Sequence, residues 1–226
     1  MPEIDVTEYQ QCVGSLMHAI VWTHPNIAHI VGVVSRHAAA PRQAHITAVK
    51  RIFHYLWGTS DYKLTYWWDK AGELVVYSDS DWAGDKMDRK STSGFVAMLN
   101  GGPVVWGSKK QASTSLSSTE AEFIASTSAT QELIWLRGLL SSINHLSRTT
   151  TPLLIDNQGA ISLIKNSLSS KYSKHIKLCY YFICEKFTDG TIAAKYISTD
   201  KQLADSLTKA LAGIKYKKFV KGFGFA

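Results

Sequence analysis

The sequence predicts a mixed α/β protein, a sheet with helices packed on it, preceded by a helical segment. Three observations carry this. Short runs rich in β-branched and aromatic residues crowd together after about residue 62. One helical pattern of about 25 residues follows them. Strand and helix patterns then alternate to the end. Strands first and alternation later imply a mixed sheet covered by helices.

Residues 5–57 read as helices. Pro25 sits where a helix would begin, and Pro41 follows the small-residue stretch Ala38–Ala40. Beyond Pro41, Ile46, Val49, Ile52, Phe53 and Leu56 recur at helical spacing, and Gly58 supplies a stop. This half has no paired carboxylates and no glycine-rich loop, so packing is its expected role. Next, LTYWW, LVVYSD, GFVAML and PVVW read as strands separated by glycine, lysine and aspartate turns. The long helix starts at Ser117 or Ser118, with Thr119 and Glu120 in its first turn. A strand is expected at 152–156, a short helix at 157–165 and a basic helix near 173–187. A strand at 191–197 and a final helix from about 200 close the pattern. Thr199 and Gln202 have capping-box spacing for that last helix.

Composition narrows the class. A hydrophobic fraction of 45% over 226 residues supports a substantial core and argues against disorder. The net charge of +7 favours a polyanionic partner such as nucleic acid. Three cysteines, Cys12, Cys179 and Cys184, are an odd number without metal-ligand spacing, which argues against a disulfide scaffold and for a reduced compartment. The start MPEIDVTEYQQ is polar and acidic, unlike a signal peptide. No apolar run approaches the roughly 20 residues that span a bilayer, so no membrane partner is expected.

Four acids carry most of the information: Asp79, Glu122, Asp156 and Asp205. Each lies beside apolar residues inside a regular element, where a carboxylate is costly to bury without a partner. Several carboxylates gathered at one end of a sheet are what a divalent-cation site needs. On the long helix, Glu122 is in phase with Ala125, Ala129, Leu133, Leu136 and Leu140, the stripe that should face the sheet. Glu120 shares its face with Thr127 and Gln131 and reads as solvated. In the first strand Val75, Tyr77, Asp79 and Asp81 share a face, and Asp156 closes an apolar run at a strand's C-terminal end, where open sheets place their sites. Asp205 also reads as an exposed helix acid between Lys201 and Lys209. Periodicity leaves Asp81 and Glu120 open as alternatives.

Residues 77–211 resemble the ribonuclease H domain of copia-type LTR retrotransposon polyproteins. The strings are YSDSDWAGD, RKSTSGFVAML, WGSKKQ, SSTEAEFIA, DNQGAI, KHI and KQLADSLTKAL. YQQCVGSLMHAI, HPNIAHIVGVVSRH, AHITAVKRIFHYLWGT and DYKLTYWW resemble the segment joining the reverse transcriptase to that domain. The resemblance implies a ribonuclease H-like fold: a five-stranded mixed sheet, three strands antiparallel and the rest parallel, flanked by helices. It divides the chain into a helical connection of reverse transcriptase at 1–61, the ribonuclease H-like domain at 62–212 and a basic tail at 213–226. It implies that Asp79, Glu122, Asp156 and Asp205 are catalytic and hold two magnesium ions, with manganese as a substitute. The implied reaction is hydrolysis of the RNA strand of RNA–DNA hybrids during reverse transcription, with the ions roughly 3.5–4 Å apart. Lys109, Lys110, Lys171, Lys174, His175 and Lys177 are candidate phosphate contacts, and Trp106 a candidate sugar contact. The implied partners are the hybrid and an upstream reverse transcriptase domain, in an intracellular setting, a cytoplasmic virus-like particle or the nucleus.

The chain also departs from that family. His24 and Asn26 stand in a T-R-P-D-I-A-like string, His54 and Trp57 flank Tyr55-Leu56, and Cys179–Cys184 replace an R-Y-H-F-like run. These departures motivate an alternative: a catalytically silent, decayed or domesticated nucleic-acid-binding module.

Overall fold

The computed structural model describes residues 5–67, 74–145, 150–166 and 174–225, with the backbone alone at 174–177. The N-terminal segment holds helices α1 (Val6–Trp22), α2 (Ala28–Ser35) and α3 (Gln43–Gly58). Asp5 caps α1 by accepting from the amides of Thr7 and Glu8. Pro25 opens a 3-10 turn, Pro25–Ile27, that leads into α2. Pro41 stays just outside α3, whose N-cap is Arg42.

The sheet comprises β1 (Val75–Asp81), β2 (Thr92–Leu99), β3 (Gly102–Lys110), β4 (Thr151–Ile155) and β5 (Ile192–Tyr196), in the order β3-β2-β1-β4-β5. β1, β2 and β3 pair antiparallel, whereas β4 pairs parallel with β1 and with β5. Helix α4 (Ser118–Ser142) crosses between the two halves, and α5 (Gln158–Lys165) and α6 (Lys174–Thr188) join β4 to β5. This is the expected ribonuclease H-like mixed sheet. LTYWW does not form a strand over its described residues. Leu64 makes a single bridge to Phe225, and Trp68 lies outside the described residues.

The two faces of the sheet bury different elements. Val76, Leu153, Ile155, Ile192 and Ala194 pack against α4 through Ala129, Leu133, Leu136 and Leu140, with Ile164 of α5 and Ile183 of α6. The predicted stripe on α4 is therefore its buried face. On the other side Val96 and Met98 meet Ala28, Leu207, Val220, Phe223 and Phe225. Residues 213–226, read as a basic tail, carry helix α7 (Gly213–Gly222), whose Phe219 and Val220 are buried along with Phe223. The three N-terminal helices share a small core of their own around Leu16, Ile27, Val31 and Ile52. They dock on β3, where the Trp106 indole N–H donates to the Ile20 carbonyl at 2.7 Å.

The final helix expected from residue 200 is replaced by two 3-10 turns, Thr199–Lys201 and Leu203–Leu207. The two residues expected to form its capping box are used elsewhere. Thr199 Oγ1 donates to Asp156 Oδ2 at 2.8 Å. Gln202, fully buried, donates from Nε2 to the carbonyls of Ser78 (2.9 Å) and Leu154 (3.3 Å). β1 and β4 pair over only two positions, Val76–Leu153 and Tyr77–Leu154. The strands part beyond that point, and the Gln202 amide fills the gap that separates Asp79 from Asp156.

Candidate metal centre

Asp79, Asp156 and Asp205 each bring a carboxylate oxygen within 4.8 Å of the other two. They arrive from β1, from the end of β4 and from the Leu203–Leu207 turn, so the cluster exists only when the sheet and the turn are docked. Asp79 and Asp205 are buried and Asp156 half-buried. Alternation along β1 turns Val76, Ser78 and Ser80 towards α4 and leaves Asp79 on the face covered by the late turn. There Thr208 Oγ1 donates to Asp79 Oδ2.

Gly94 makes that docking possible. It lies opposite Asp79 in the β1–β2 register. A Cβ there would stand 2.6 Å from Thr208 Cγ2 and 2.9 Å from Leu207 Cβ. The absent side chain is the space into which the Asp205 turn sits.

Glu122 approaches from the opposite layer. Its Oε1 accepts from the Ser80 amide at 2.9 Å and the Ser80 hydroxyl at 3.0 Å, while its buried Oε2 has no hydrogen-bond partner. Burial first, then the charges of Asp79 and Asp156, push its pKa up to about 9. Asp79 is pushed up to about 6, by burial first; Asp205 and Asp156 add to this, and Lys209 and Thr208 oppose it. An unpartnered buried carboxyl oxygen beside three crowded carboxylates sets four acids against two ammoniums, Lys209 and Lys215, and such a site favours further positive charge. Hard oxygen donors in this number suit magnesium or manganese.

Neither alternative left open by periodicity belongs to the group of three carboxylates. Asp81 is half-buried, and its carboxylate lies over Gly84, where an added Cβ would come 1.8 Å from Asp81 Oδ2. Glu120, expected to be solvated, is buried because it folds back to accept from the Leu116 amide at 2.8 Å, while its own amide donates to the Ser117 cap. Asp205 is fully buried, which corrects its reading as an exposed helix acid, although its i,i+4 pair with Lys209 does form at 2.8 Å.

The candidate substrate contacts separate. By register Lys109 and Lys110 lie at the same end of the sheet as Asp79. Lys109 is exposed, whereas Lys110 is paired with Asp85 at 2.6 Å and Asp88 at 2.8 Å. Trp106 sits in the seam with α1 and packs there, not towards the carboxylates. Lys171 and the side chains of Lys174, His175 and Lys177 lie outside the described residues.

Sequence reasoning missed the roles of Gly94 and Thr208 and the bridging role of Gln202, found Lys209 only as a neighbour of Asp205, and missed the contribution of the N-terminal segment. A cleft of about 450 Å³ beside the carboxylates is lined by Asp81, Lys86, Lys110 and Lys209 together with His29 and Arg36 of α2. Arg36 reaches across to Asp85 at 2.9 Å. The only local signal was the basic run around Arg36 and His37, which carries no spacing of its own.

No protein-family model matches the chain. It is 41% identical over 212 residues to the Retrovirus-related Pol polyprotein from transposon TNT 1-94 of Nicotiana tabacum, covering 92% of this chain and 16% of that protein. It is 37% identical over 222 residues to the Retrovirus-related Pol polyprotein from transposon RE1 of Arabidopsis thaliana, covering 97% and 15%. A third relative, Secreted RxLR effector protein 161 of Plasmopara viticola, is 48% identical over 128 residues, 57% of this chain and 90% of that protein. Among solved structures, the N-terminal RNase H domain of rv2228c from Mycobacterium tuberculosis aligns at a TM-score of 0.46 and 12% identity, covering 66% of this chain and 96% of that one. LC11-RNase H1 in complex with an RNA/DNA hybrid aligns at 0.44 and 14%, covering 60% and 94%. The chain spans about a sixth of the length of the two plant polyproteins, and the matches take in 92% and 97% of the chain. It belongs to the Pol polyprotein family of copia-type retrotransposons, of which it corresponds to one part.

Proposed function

We propose that this chain is a magnesium-dependent ribonuclease H that hydrolyses the RNA strand of RNA–DNA hybrids during reverse transcription. The observation that carries the proposal is the convergence of Asp79, Asp156 and Asp205 within 4.8 Å, with the unpartnered Glu122 Oε2 nearby. These four residues would hold two magnesium ions, with manganese as a substitute. Bound magnesium supplies Lewis-acid activation of water and neutralises charge on a leaving oxygen. The protein's own part is to hold the donors ready. Thr208 orients Asp79, Thr199 orients Asp156, and Ser80 anchors Glu122. No nucleophilic side chain is required.

The hybrid would be gripped through its phosphates and 2′-hydroxyls, with little base specificity. Lys109 and Lys86 are exposed cations suited to this, and Lys86 lines the cleft that carries α2 on its far wall. Residues 1–61 act as the helical connection to an upstream reverse transcriptase domain, and residues 62–212 as the nuclease. The setting is a virus-like particle or the nucleus. A second reading, a catalytically silent nucleic-acid-binding module, is favoured by one observation: a lysine ammonium already sits between Asp79 and Asp205.

Cleavage of a labelled RNA–DNA hybrid with magnesium at low salt separates the two readings. The unmodified chain should cut the RNA strand, and Asp156→Asn should not. A folded, unmodified protein that leaves the hybrid intact refutes the nuclease.

A further inference from the structure

Lys209 has no role in the chemistry described so far, yet it touches two of the acids. Its Nζ lies 2.8 Å from Asp205 Oδ1 and 3.5 Å from Asp79 Oδ2, linking β1 to the late turn. The other oxygen of Asp205 is 2.6 Å from Lys215 Nζ on α7. Both carboxylates are buried, while each lysine side chain is about a third exposed. The ammoniums therefore reach inward from the surface on flexible stems. Three carboxylates within 4.8 Å repel one another, and an ammonium between two of them relieves that repulsion.

The two lysines differ in what else holds them. Lys215 touches one oxygen of one acid and lies 5.5 Å over the Phe219 ring, which fixes its stem. Lys209 bridges two acids, in the seat a hard cation with oxygen ligands would take. Its stem also has room to move, because it lines both the 450 Å³ cleft and a second cavity of about 620 Å³ beside Arg51 and Tyr55.

Resting on the reading of these carboxylates as a metal centre, we propose that Lys209 is a displaceable counter-cation. Its ammonium occupies the seat between Asp79 and Asp205 in the metal-free protein and withdraws when a divalent ion enters. Lys215 stays on Asp205 and keeps that carboxylate oriented. Metal uptake is then an exchange of cations, and Lys209 is a positioning residue that sets how much metal the centre requires. Once withdrawn, its ammonium lies in the cleft with Lys86, where a phosphate backbone can meet it.

The test uses the full chain without nucleic acid and reads Mn2+ binding by calorimetry, together with melting temperature in chelator. Lys209→Gln should melt lower in chelator yet bind Mn2+ about three- to tenfold more tightly, the scale of one partly buried charge pair. A merely structural lysine would weaken Mn2+ binding on removal. Lys209→Arg should restore the melting temperature and bind no more tightly than the unmodified chain. Asp79→Asn reports on the centre itself and should lose Mn2+ binding. If the unmodified chain binds Mn2+ and Asp79→Asn does not, but Lys209→Gln binds equally or more weakly, the exchange is refuted and the centre stands. If neither the unmodified chain nor Lys209→Gln binds, both fail. Binding by Lys209→Gln alone supports the exchange, with the lysine as a block.

Discussion

Gly94→Ala tests whether the centre depends on backbone packing at a position with no chemistry of its own. The new Cβ would stand 2.6 Å from Thr208 Cγ2, 2.9 Å from Leu207 Cβ and 3.1 Å from the Ala204 carbonyl oxygen. Carbon atoms settle at about 3.5–4.0 Å, so the Leu203–Leu207 turn must retreat by about 1 Å. The neighbours cannot yield by rotating away, because the Leu207 Cβ and the Ala204 carbonyl are fixed to the main chain. Overpacking of this kind costs about 1–3 kcal/mol, against which alanine in a strand recovers at most about 1 kcal/mol over glycine. The net loss of about 1–2 kcal/mol corresponds to a melting shift of several degrees at this chain length. Metal binding should suffer more than stability, because the same retreat carries Asp205 and Thr208 away from Asp79. Metal–donor distances hold to within about 0.2 Å, so a retreat of about 1 Å takes donors out of coordination range. Thermal melts and Mn2+ calorimetry on Gly94→Ala and the unmodified chain measure both. An alanine variant with unchanged melting and unchanged Mn2+ affinity would refute the packing argument.

Further outcomes follow from the polar contacts. Gln202→Leu leaves the Ser78 and Leu154 carbonyls without the amide that bridges them, and should destabilise by about 2–3 kcal/mol. Faster hydrogen exchange should concentrate at the ends of β1 and β4, and uniform protection there would count against the bridge. Thr208→Val removes the hydroxyl that donates to Asp79, so the Asp79 carboxyl, already held at about 6, should titrate still higher by carbon NMR. A lower value would contradict this. In the metal-free protein, Asp79 and Glu122 both have folded-state pKa values above their ordinary 3.8 and 4.5, so the native state holds protons that the unfolded chain has released. Their stabilisation is full below about pH 4 and is lost as pH rises through about 6 and then about 9. Glu122→Gln should remove the upper part of that decline in chelator melts between pH 6 and 9, and an identical decline in both proteins would overturn the assignment.

How legible this protein is depends on how local each determinant is. Glu122 is in phase with Leu133 and Leu140, and that stripe is the buried face of α4, since helix geometry fixes which side chains share a side. The position of Asp156 at the end of β4 was equally readable, because β-branched and apolar runs with a polar stop mark strand ends. Glu120 went the other way. Its burial comes from folding back onto the Leu116 amide, a local contact that competes with the solvated geometry its helical face suggested. Residues 199–207 depart from their local pattern for a non-local reason. Thr199 and Gln202 have helix-cap chemistry, but Asp156 and two strand carbonyls compete for the same side chains and win.

The amino-acid order alone carries the mixed α/β composition, the succession of elements from β1 to β5, the inward stripe of α4 and the set of acids worth considering. Each of these follows from periodicity and local propensity, which act over a few residues. Long-range packing brings Asp79 and not Asp81 to Asp156 and Asp205, hangs Glu122 from Ser80, and seats Lys209 between two acids. It also brought Arg36 of α2 to Asp85 across the cleft. Those outcomes depend on how closely a turn can approach a glycine and on where two parallel strands part. Such distances are set by the packed whole, because charges at contact range interact strongly only after burial has removed water from between them.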